Sequence, residues 1–503
     1  MRITIYTFIY VFISQLSVAQ TVNDVSRLVS TELNGSARYT SMAGAFGALG
    51  GDLTAISFNP ASSSVFLHTE LGASFNYKNK LTESSYFNSK GSSENEDVRL
   101  DHFGGVFVFN NINSESPWSR VSVGFNLHKI IQFNQNVFID GNNSRGIDQY
   151  FLYYADGLAF KNLPLYDDET PDDVYRILGD EQGFAAQQAF LGYQGYIIDP
   201  KIDTDENTTY RSNVLYNTVN HKIDIINSGW HRKTSLNLSG LYKDVFHLGV
   251  NINFHKLYLN NAQNLFETNH SENSTTYNIN FENELVSFGE GMSAQFGAIY
   301  KIKNIRLGAT YDSPQWLTLA DETRQSISAV HYEGGIDIRE EISPNITNLY
   351  DEYQIRIPSK TTLSFAYIFG SKGLISLDYS TQNLANARLN DEFGSTYLTE
   401  VTQKVESRFN GVTTFKIGGE YRLNDLSFRA GILNQNAAQK NTNTNTMALT
   451  FGLGIDFGSS SLAISLMNFD QNKQFELFSE GLTDTYSLNQ KLTQVSISYY
   501  FKL

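Results

Sequence analysis

Along most of this chain, hydrophobic and polar residues alternate. From about Leu71 onward the period is two, the signature of strands whose two faces meet different surroundings. Met447, Leu449, Phe451, Leu453, Ile455 and Phe457 alternate with Ala448, Thr450, Gly452, Gly454 and Asp456. Val121, Val123, Phe125 and Leu127 alternate with Ser122, Gly124, Asn126 and His128. The end of the chain repeats the pattern, with Val495, Ile497, Tyr499, Phe501 and Leu503 set against Ser496, Ser498, Tyr500 and Lys502. The off-face is small and polar rather than heavily charged, which suits the lumen of a membrane barrel better than the wetted side of a soluble sandwich. Strands are predicted near 70–78, 102–110, 119–133, 234–243, 247–258, 291–302, 304–311, 361–369, 373–381, 412–422, 425–433, 446–457, 461–469 and 492–503.

The connections between these strands sharpen the picture. Tyr242 to His247, Lys301 to Asn304, Gly370 to Gly373, Leu423 to Asp425 and Gly458 to Ser460 are short, while the others are long and polar, above all 134–233 and 312–360. Short turns alternating with long loops are the layout of an outer-membrane barrel, short on the periplasmic side and long outside. The predicted fold is all-β: a transmembrane antiparallel β-barrel of about 14 strands over residues 67–503, with a large extracellular loop at 134–233. A period-two run at Tyr277, Ile279 and Phe281 falls within an outer loop in this layout and is expected to form an extracellular hairpin.

Composition narrows the function. The 503 residues include no cysteine, so there is no disulfide framework and no thiol chemistry. A formal net charge of −15 without a basic stripe argues against nucleic acid. Residues 1–19 read as a secretory signal: Arg2, an apolar run from Ile3 to Leu16, and Ser17-Val18-Ala19 before Gln20. No later apolar run approaches the ~20 residues of a transmembrane helix. The expected location is the bacterial outer membrane, with lipid around the wall, the barrel-insertion machinery as partner during biogenesis, and a monomer as the final state. A closing strand with Phe501 near its end suits that machinery; Leu503 stands where Phe is common.

Between the signal and the first strand lies Gly35 to Ala61, GSARYTSMAGAFGALGGDLTAISFNPA. Gly44, Gly47, Gly50 and Gly51 allow close backbone approach and positive φ, as a compact coil in a confined space requires. Pro60 fixes φ and lacks an N–H, so the chain turns there. The stretch resembles the N-terminal hatch of the FadL/TodX family of outer-membrane transporters for long-chain fatty acids and aromatic hydrocarbons. That hatch has a small-residue run, an Arg a few positions in (here Arg38), and Asn59-Pro60-Ala61 before the first strand. The resemblance extends to strand count and closing strand but is specific only in the hatch. It implies that residues 20–66 plug the lumen and that the protein passes hydrophobic small molecules inward without energy input. An alternative follows from the same resemblance, since some FadL-like barrels with similar leaders act as interaction or shuttle components in protein secretion.

Loop 134–233 is too long to be a mere connection. Thr170-Pro171-Asp172-Asp173 reads as a helix start, with a cap, Pro at the first position and acids in the first turn; the helix is expected to stop at Gly179. A second piece runs from Gly183 to Gly195. Its Phe184, Phe190, Leu191 and Tyr193, amid Tyr150, Phe151, Tyr153, Tyr154, Phe160 and Tyr196, are candidates for a ligand groove such as FadL-type barrels build from loop helices. Loop-on-loop packing accounts for the same aromatics. Asp203-Thr204-Asp205-Glu206-Asn207 has part of a calcium-loop pattern, but Thr208 and Val214 stand where Gly and Glu are required. A solvated acidic loop is the reading, and no metal is expected.

No GxSxG, HExxH, HxH, GxxxxGK or paired-Cys pattern is present, so neither enzyme activity nor a cofactor is expected. His128 and His255 read as polar lumen lining. One detail breaks the third strand: Lys129 takes the lipid parity after Phe125 and Leu127, and Ile130-Ile131 doubles the apolar run. A bulge there would re-aim the face, with Gly124 as a candidate kink upstream. In the resembling family a kink in this strand opens a lateral window. A lysine snorkelling to the interface explains the same residue.

Overall fold

A computed structural model describes residues 21–29, 32–113, 115–442 and 445–503; the export signal expected over 1–19 lies outside them. Fourteen antiparallel strands form a closed barrel. In chain order they are β1 Glu70–Tyr86, β2 Ser89–Asn110, β3 Trp118–Gln132, β4 Val219–Tyr242, β5 Phe246–Thr268, β6 Thr276–Ile302, β7 Ile305–Asp312, β8 Lys360–Ile368, β9 Gly373–Asn383, β10 Gly411–Leu423, β11 Leu426–Gln435, β12 Thr446–Asp456, β13 Ser460–Glu476 and β14 Thr485–Lys502. β14 pairs back onto β1, from Glu70 opposite Lys502 to Ser85 opposite Ser487, and closes the ring. Each strand expected from the alternation is present. Among the described residues no helix is long and apolar enough to cross a membrane.

The two faces of the wall are those the period of two predicts. On β12, Leu449 is 45% exposed and its neighbour Thr450 is fully buried. The outward face is an apolar belt that includes Leu236 and Leu238 on β4, Leu248, Val250 and Ile252 on β5, and Phe296 on β6. The inward face carries Ser496 and Ser498, Asn237 and Ser239, Asn251 and Asn253. A closed ladder satisfies the backbone groups that hydrocarbon cannot, and the belt gives lipid an apolar surface.

The wall is not of even height. A transmembrane strand needs about 9–11 residues, which β8 and β9 match at 9 and 11. β4, β5 and β6 have 24, 23 and 27 and continue well above the bilayer. There a strand Gln315–Glu333 pairs with β6, and Tyr353–Ile357 pairs with Gln315–Glu333 in turn. Two expectations are corrected here. Tyr277, Ile279 and Phe281 are not a separate hairpin; they belong to β6, which runs unbroken because β5 and Gln315–Glu333 flank its upper half. The large loop is also shorter than 134–233, since residues 219–233 belong to β4 and 133–218 connect β3 to it.

That loop folds into a cap. A strand Gln135–Asn143 pairs with the upper part of β4, and helices follow at Asp148–Ala155, Pro171–Gln182 and Phe184–Gln194. Thr170 caps the middle helix, its hydroxyl accepting from the Asp173 N–H at 3.2 Å. The helix passes Gly179 and ends at Gly183, whose φ of +83° lets the chain reverse. Gly179 faces Gln187 so closely that an added Cβ would lie 2.3 Å from Nε2, so it serves helix–helix contact rather than termination. Tyr150, Phe151, Tyr175, Phe190 and Leu191 pack with Ile223, Ile225, Leu265, Ile279 and Phe281 from the wall in one apolar core.

Candidate functional site

The lower lumen is filled by residues 32–66. Ser36 caps a short helix Ala37–Ser41, and its hydroxyl reaches the Asp52 carboxylate at 2.7 Å. Asp52 also accepts from the Thr54 and Ala55 N–H groups, tying both ends of the coil together. Asn59 donates to the Gly47 carbonyl at 2.6 Å and accepts from the Ala61 N–H at 3.0 Å, which fixes the turn into a 3₁₀ helix at Pro60–Val65. The wall grips this coil through polar side chains and through missing ones. Asp378 accepts from the Gly47 N–H, Asn237 donates to the Pro60 carbonyl at 2.9 Å, and Ser64 pairs with His247 at 2.9 Å. Gly249, Gly297, Gly308 and Gly418 face inward, and an added Cβ at any of them would meet the hatch at 2.0–2.5 Å. Arg38 donates to Glu420 at 3.0 Å, and Glu420 also receives Arg429 and Arg422, each at 2.7 Å.

Above this coil lies a cavity of about 190 Å³. Its floor is Phe58, stacked on Tyr39 at 4.7 Å with His128 edge-on at 5.8 Å. Three ammonium groups surround the Phe58 ring: Lys233 at 5.5 Å, Lys416 at 5.6 Å and Lys360 at 6.0 Å from its centroid. Lys360 pairs with Asp312 at 3.3 Å, and Lys233 donates to the Ser57 carbonyl at 2.7 Å. The cavity's apolar lining, Ile131, Ile357, Leu384 and Val412, continues upward into an apolar collar. Leu257 and Leu259 of β5, Leu317 and Leu319 of Gln315–Glu333, and Ile355 and Ile357 of Tyr353–Ile357 are all buried inside the barrel. The helix Val22–Leu28 fills this collar, backed by a loop helix Thr396–Arg408. A second apolar patch of the inner wall, Leu433, Met467, Phe469 and Leu492, packs lower down on Tyr39, Met42, Phe46 and Leu49 of the hatch.

The wall beside this cavity is incomplete. β2 and β3 pair only from Asn110 opposite Arg120 up to His102 opposite His128. At that level β2 carries a bulge at Asp101, facing the Ser74/Phe75 step of β1, and β3 carries one between Lys129 and Ile131. Two bulges at one height splay the strands and end the β2–β3 ladder. Higher up β2 meets the strand Gln135–Asn143 through side chains, Ser93 donating to the Asn136 carbonyl and Asn95 accepting from the Asn136 N–H at 2.8 Å. The hatch lines the break from inside: Asn34 donates to the Lys129 carbonyl at 3.2 Å and accepts from Lys78 at 2.7 Å, while Glu32 lies 3.4 Å from Lys78.

The structure brings Arg38, Gly44, Gly47, Gly50, Gly51, Asn59, Pro60 and Ala61 together in the lower lumen. Gly44, Gly50 and Gly51 have φ of +70°, +62° and +64°. Of the groove candidates, Phe184 lines a small cavity of about 90 Å³ with Tyr150 and Tyr154, above the helix Val22–Leu28. Phe190 and Leu191 lie inside the cap core instead, and Tyr193 packs on Phe160 at 5.2 Å. Loop packing accounts for those three, and no outer groove is built from them. Lys129 sits at the bulge, but Gly124 does not: the ladder is regular from Arg120 to Lys129, and Gly124 is an ordinary inward position beside Asn237. His128 and His255 are buried in the lumen.

Sequence reasoning missed the collar and the lysines. A signal for the collar exists. Along β5 the outward apolar series Leu248, Val250, Ile252, Phe254 gives way to Lys256, and the next apolar residues, Leu257 and Leu259, have the opposite parity. The inversion marks where the strand leaves lipid and its inner face becomes the apolar one.

No protein-family model matches the chain, and no curated protein matches it. Among solved structures, a Pseudomonas aeruginosa FadL homologue aligns over 94% of this chain and 100% of its own length, with a TM-score of 0.55 and 11% identity. The Pseudomonas putida toluene transporter TodX aligns over 94% and 100%, with a TM-score of 0.53 and 12% identity. The chain has the FadL/TodX-like fold.

Proposed function

We propose that this protein is a channel of the bacterial outer membrane that passes hydrophobic compounds inward without energy input, and that its lumen suits long-chain fatty acids best. The observation that carries this reading is the cavity's division into an apolar collar above and three lysines around Phe58 below. Burying an acyl chain in the collar gains about 25 cal/mol per Å², and a carboxylate would find charged donors at the end of the same cavity. The structural neighbours at TM-scores of 0.5 or more include a toluene transporter. A neutral hydrocarbon would use the collar and leave the lysines idle. The packed hatch blocks a water-filled path, so release would go through the break between β2 and β3, where Asn34 and Glu32 of the hatch hold the edge of β3. In this reading hatch movement and wall opening are one event.

The test is equilibrium binding of palmitate and of toluene to the purified protein in detergent. Lys233→Ala with Lys416→Ala should weaken palmitate at least tenfold and leave toluene within twofold. Equal weakening of both, or of neither, would remove the fatty-acid assignment. A secreted protein co-purifying in place of lipid would favour the shuttle alternative.

A further inference from the structure

The helix Val22–Leu28 is held differently from everything else inside the barrel. Val22, Val25 and Leu28 are buried against the collar and against Leu398, Val401 and Val405 of the helix Thr396–Arg408. Its polar groups are mostly satisfied within itself. Thr21 and Asp24 form a reciprocal capping box, and Arg27 pairs with Asp24 at 2.9 Å. Hydrogen bonds to other parts of the protein run from Asn23 to the Glu476 carbonyl at 3.1 Å and from Gln439 to the Ser26 hydroxyl at 3.2 Å. Both involve neutral groups. The helix can therefore leave the collar as a unit, taking its charge pair along and leaving no unpaired charge in the wall. At seven residues it has no stability apart from its surroundings.

We infer that the collar is a binding site for a linear alkyl chain, and that the protein's own N-terminal helix occupies this site when no ligand is bound. Helix and ligand then compete for the same buried surface. The inference rests on the transport reading but adds to it a resident occupant and a site with named walls. Two features of the geometry point to it. The collar is continuous with the cavity below, since Ile131, Ile357, Leu384 and Val412 belong to both. The helix also packs into the collar through the aliphatic side chains Val22, Val25 and Leu28, the surface chemistry of an alkyl chain. A second cavity, lined by Asn23, Asp24, Arg27, Tyr154 and Phe184, lies on the helix's other side. The helix is thus the partition between an outer and an inner chamber.

Because the chain has no cysteine, a Ser26→Cys, Gln439→Cys pair can be bridged selectively by a short bis-thiol reagent, holding the helix in the collar. Binding of palmitate and of dodecane is measured for the bridged and the unbridged protein, with heat-modifiable migration confirming a folded barrel in each. Bridging should weaken both ligands at least tenfold. Bound dodecane should in turn slow the bridging reaction at least threefold. Val25→Asn, which weakens the helix's hold without touching the wall, should tighten dodecane binding several-fold. If the bridged and free proteins bind equally, the helix does not occupy the site and the inference falls while the transport reading stands. If no form binds either ligand, both fall.

Discussion

Residues 35–66 and the helix Val22–Leu28 belong to one N-terminal segment, yet the barrel holds them by different chemistry. The hatch floor packs on Leu433, Met467, Phe469 and Leu492, and adds backbone and charge fastenings that the ceiling lacks. Backbone groups of Gly47, Leu49 and Pro60 bond to side chains of the wall, inward glycines admit the hatch backbone, and Arg38 joins the arginine cluster around Glu420. The helix at the ceiling is fastened through aliphatic contact with the collar and a few neutral hydrogen bonds. Directional contacts at the floor specify one arrangement, and losing a partner there leaves a buried charge or amide unpaired. Non-directional contacts at the ceiling can be replaced by any alkyl surface of similar shape. A channel that must exclude small hydrophilic solutes and admit hydrophobic ones needs both properties, and it places them at different depths.

The largest test of this contrast is Glu420→Ala. It leaves Arg38, Arg422 and Arg429 without their shared carboxylate, and removing one partner of a buried pair costs about 3–5 kcal/mol. The hatch should detach while the barrel stays folded, so liposomes carrying the variant should swell in a small sugar that the parent excludes. The helix should remain in the collar, read as unchanged thiol reactivity at Ser26→Cys. Loss of both together would mean the floor and ceiling are one unit.

Leu449→Arg and Thr450→Arg probe the wall that both regions share. A charge facing lipid at the midplane costs roughly 2–4 kcal/mol, so Leu449→Arg should lower barrel stability by that amount. Thr450 faces the hatch, where its hydroxyl donates to the Ser41 carbonyl at 2.9 Å. Thr450→Arg should therefore raise sugar permeability with a much smaller effect on unfolding. Equal destabilisation at the two positions would overturn the facing of the strands.

A third fastening lies above both. Glu267, at the top of β5 and outside the bilayer, is buried between His221 at 2.8 Å and His270 at 3.0 Å, and it accepts from the Ile147 N–H at 2.7 Å. Burial pushes its carboxyl up, but the hydrogen bonds and charges of the two histidines more than offset this and hold it below the usual carboxylate value. A depressed pKa stabilises the folded cap above the ordinary value, near 4.3, and that contribution disappears as pH falls through the lowered value. Protease nicking of loop 133–218 should accordingly rise only below about pH 4. Glu267→Gln should weaken the cap at pH 7 by about 1.5–3 kcal/mol and abolish the acid step. A variant with the parent's full acid step would show that other carboxylates control it.

How far the sequence could be read follows the same division. The strands were legible because lipid on one side and a polar lumen on the other impose a period of two, and each of the fourteen appears near its expected place. The Gly-rich run ending at Asn59-Pro60-Ala61 stood out because tight coils need special residues. The collar did not stand out, because its signal is small: on β5 the apolar series changes parity between Phe254 and Leu257 across a single Lys256, and Leu257 and Leu317 otherwise alternate as any strand residue does. The bulge at Lys129 left a visible irregularity, whereas the matching bulge at Asp101 left none, since SKGSSENEDVRL carries no lipid-facing pattern to break. The loop aromatics stayed divided between a groove and a packed cap for a related reason. Phe190 and Leu191 look alike in sequence whether they wait for a ligand or pack on Phe151 and Phe281.

The smallest effect is expected from Pro60→Ala, and it separates floor from ceiling most cleanly. Pro60 opens the 3₁₀ helix Pro60–Val65 directly after Asn59, whose side chain already caps the Ala61 N–H. Alanine can adopt the same φ, so the native contacts of Asn237 and His247 to this turn survive. What changes is chiefly the unfolded hatch, which gains conformations and so loses about 0.4–1 kcal/mol of docking stability. Amide exchange at Ala61–Ser64 should quicken by a few-fold, in line with that energy, while Val25 and Leu28 in the collar and the strand amides of β5 keep their protection. Palmitate uptake should rise modestly, because a looser hatch frees Asn34 from the edge of β3 more often. If Val25 and Leu28 quicken by the same factor as Ala61, then floor and ceiling move together, and the two kinds of fastening serve one gate rather than two.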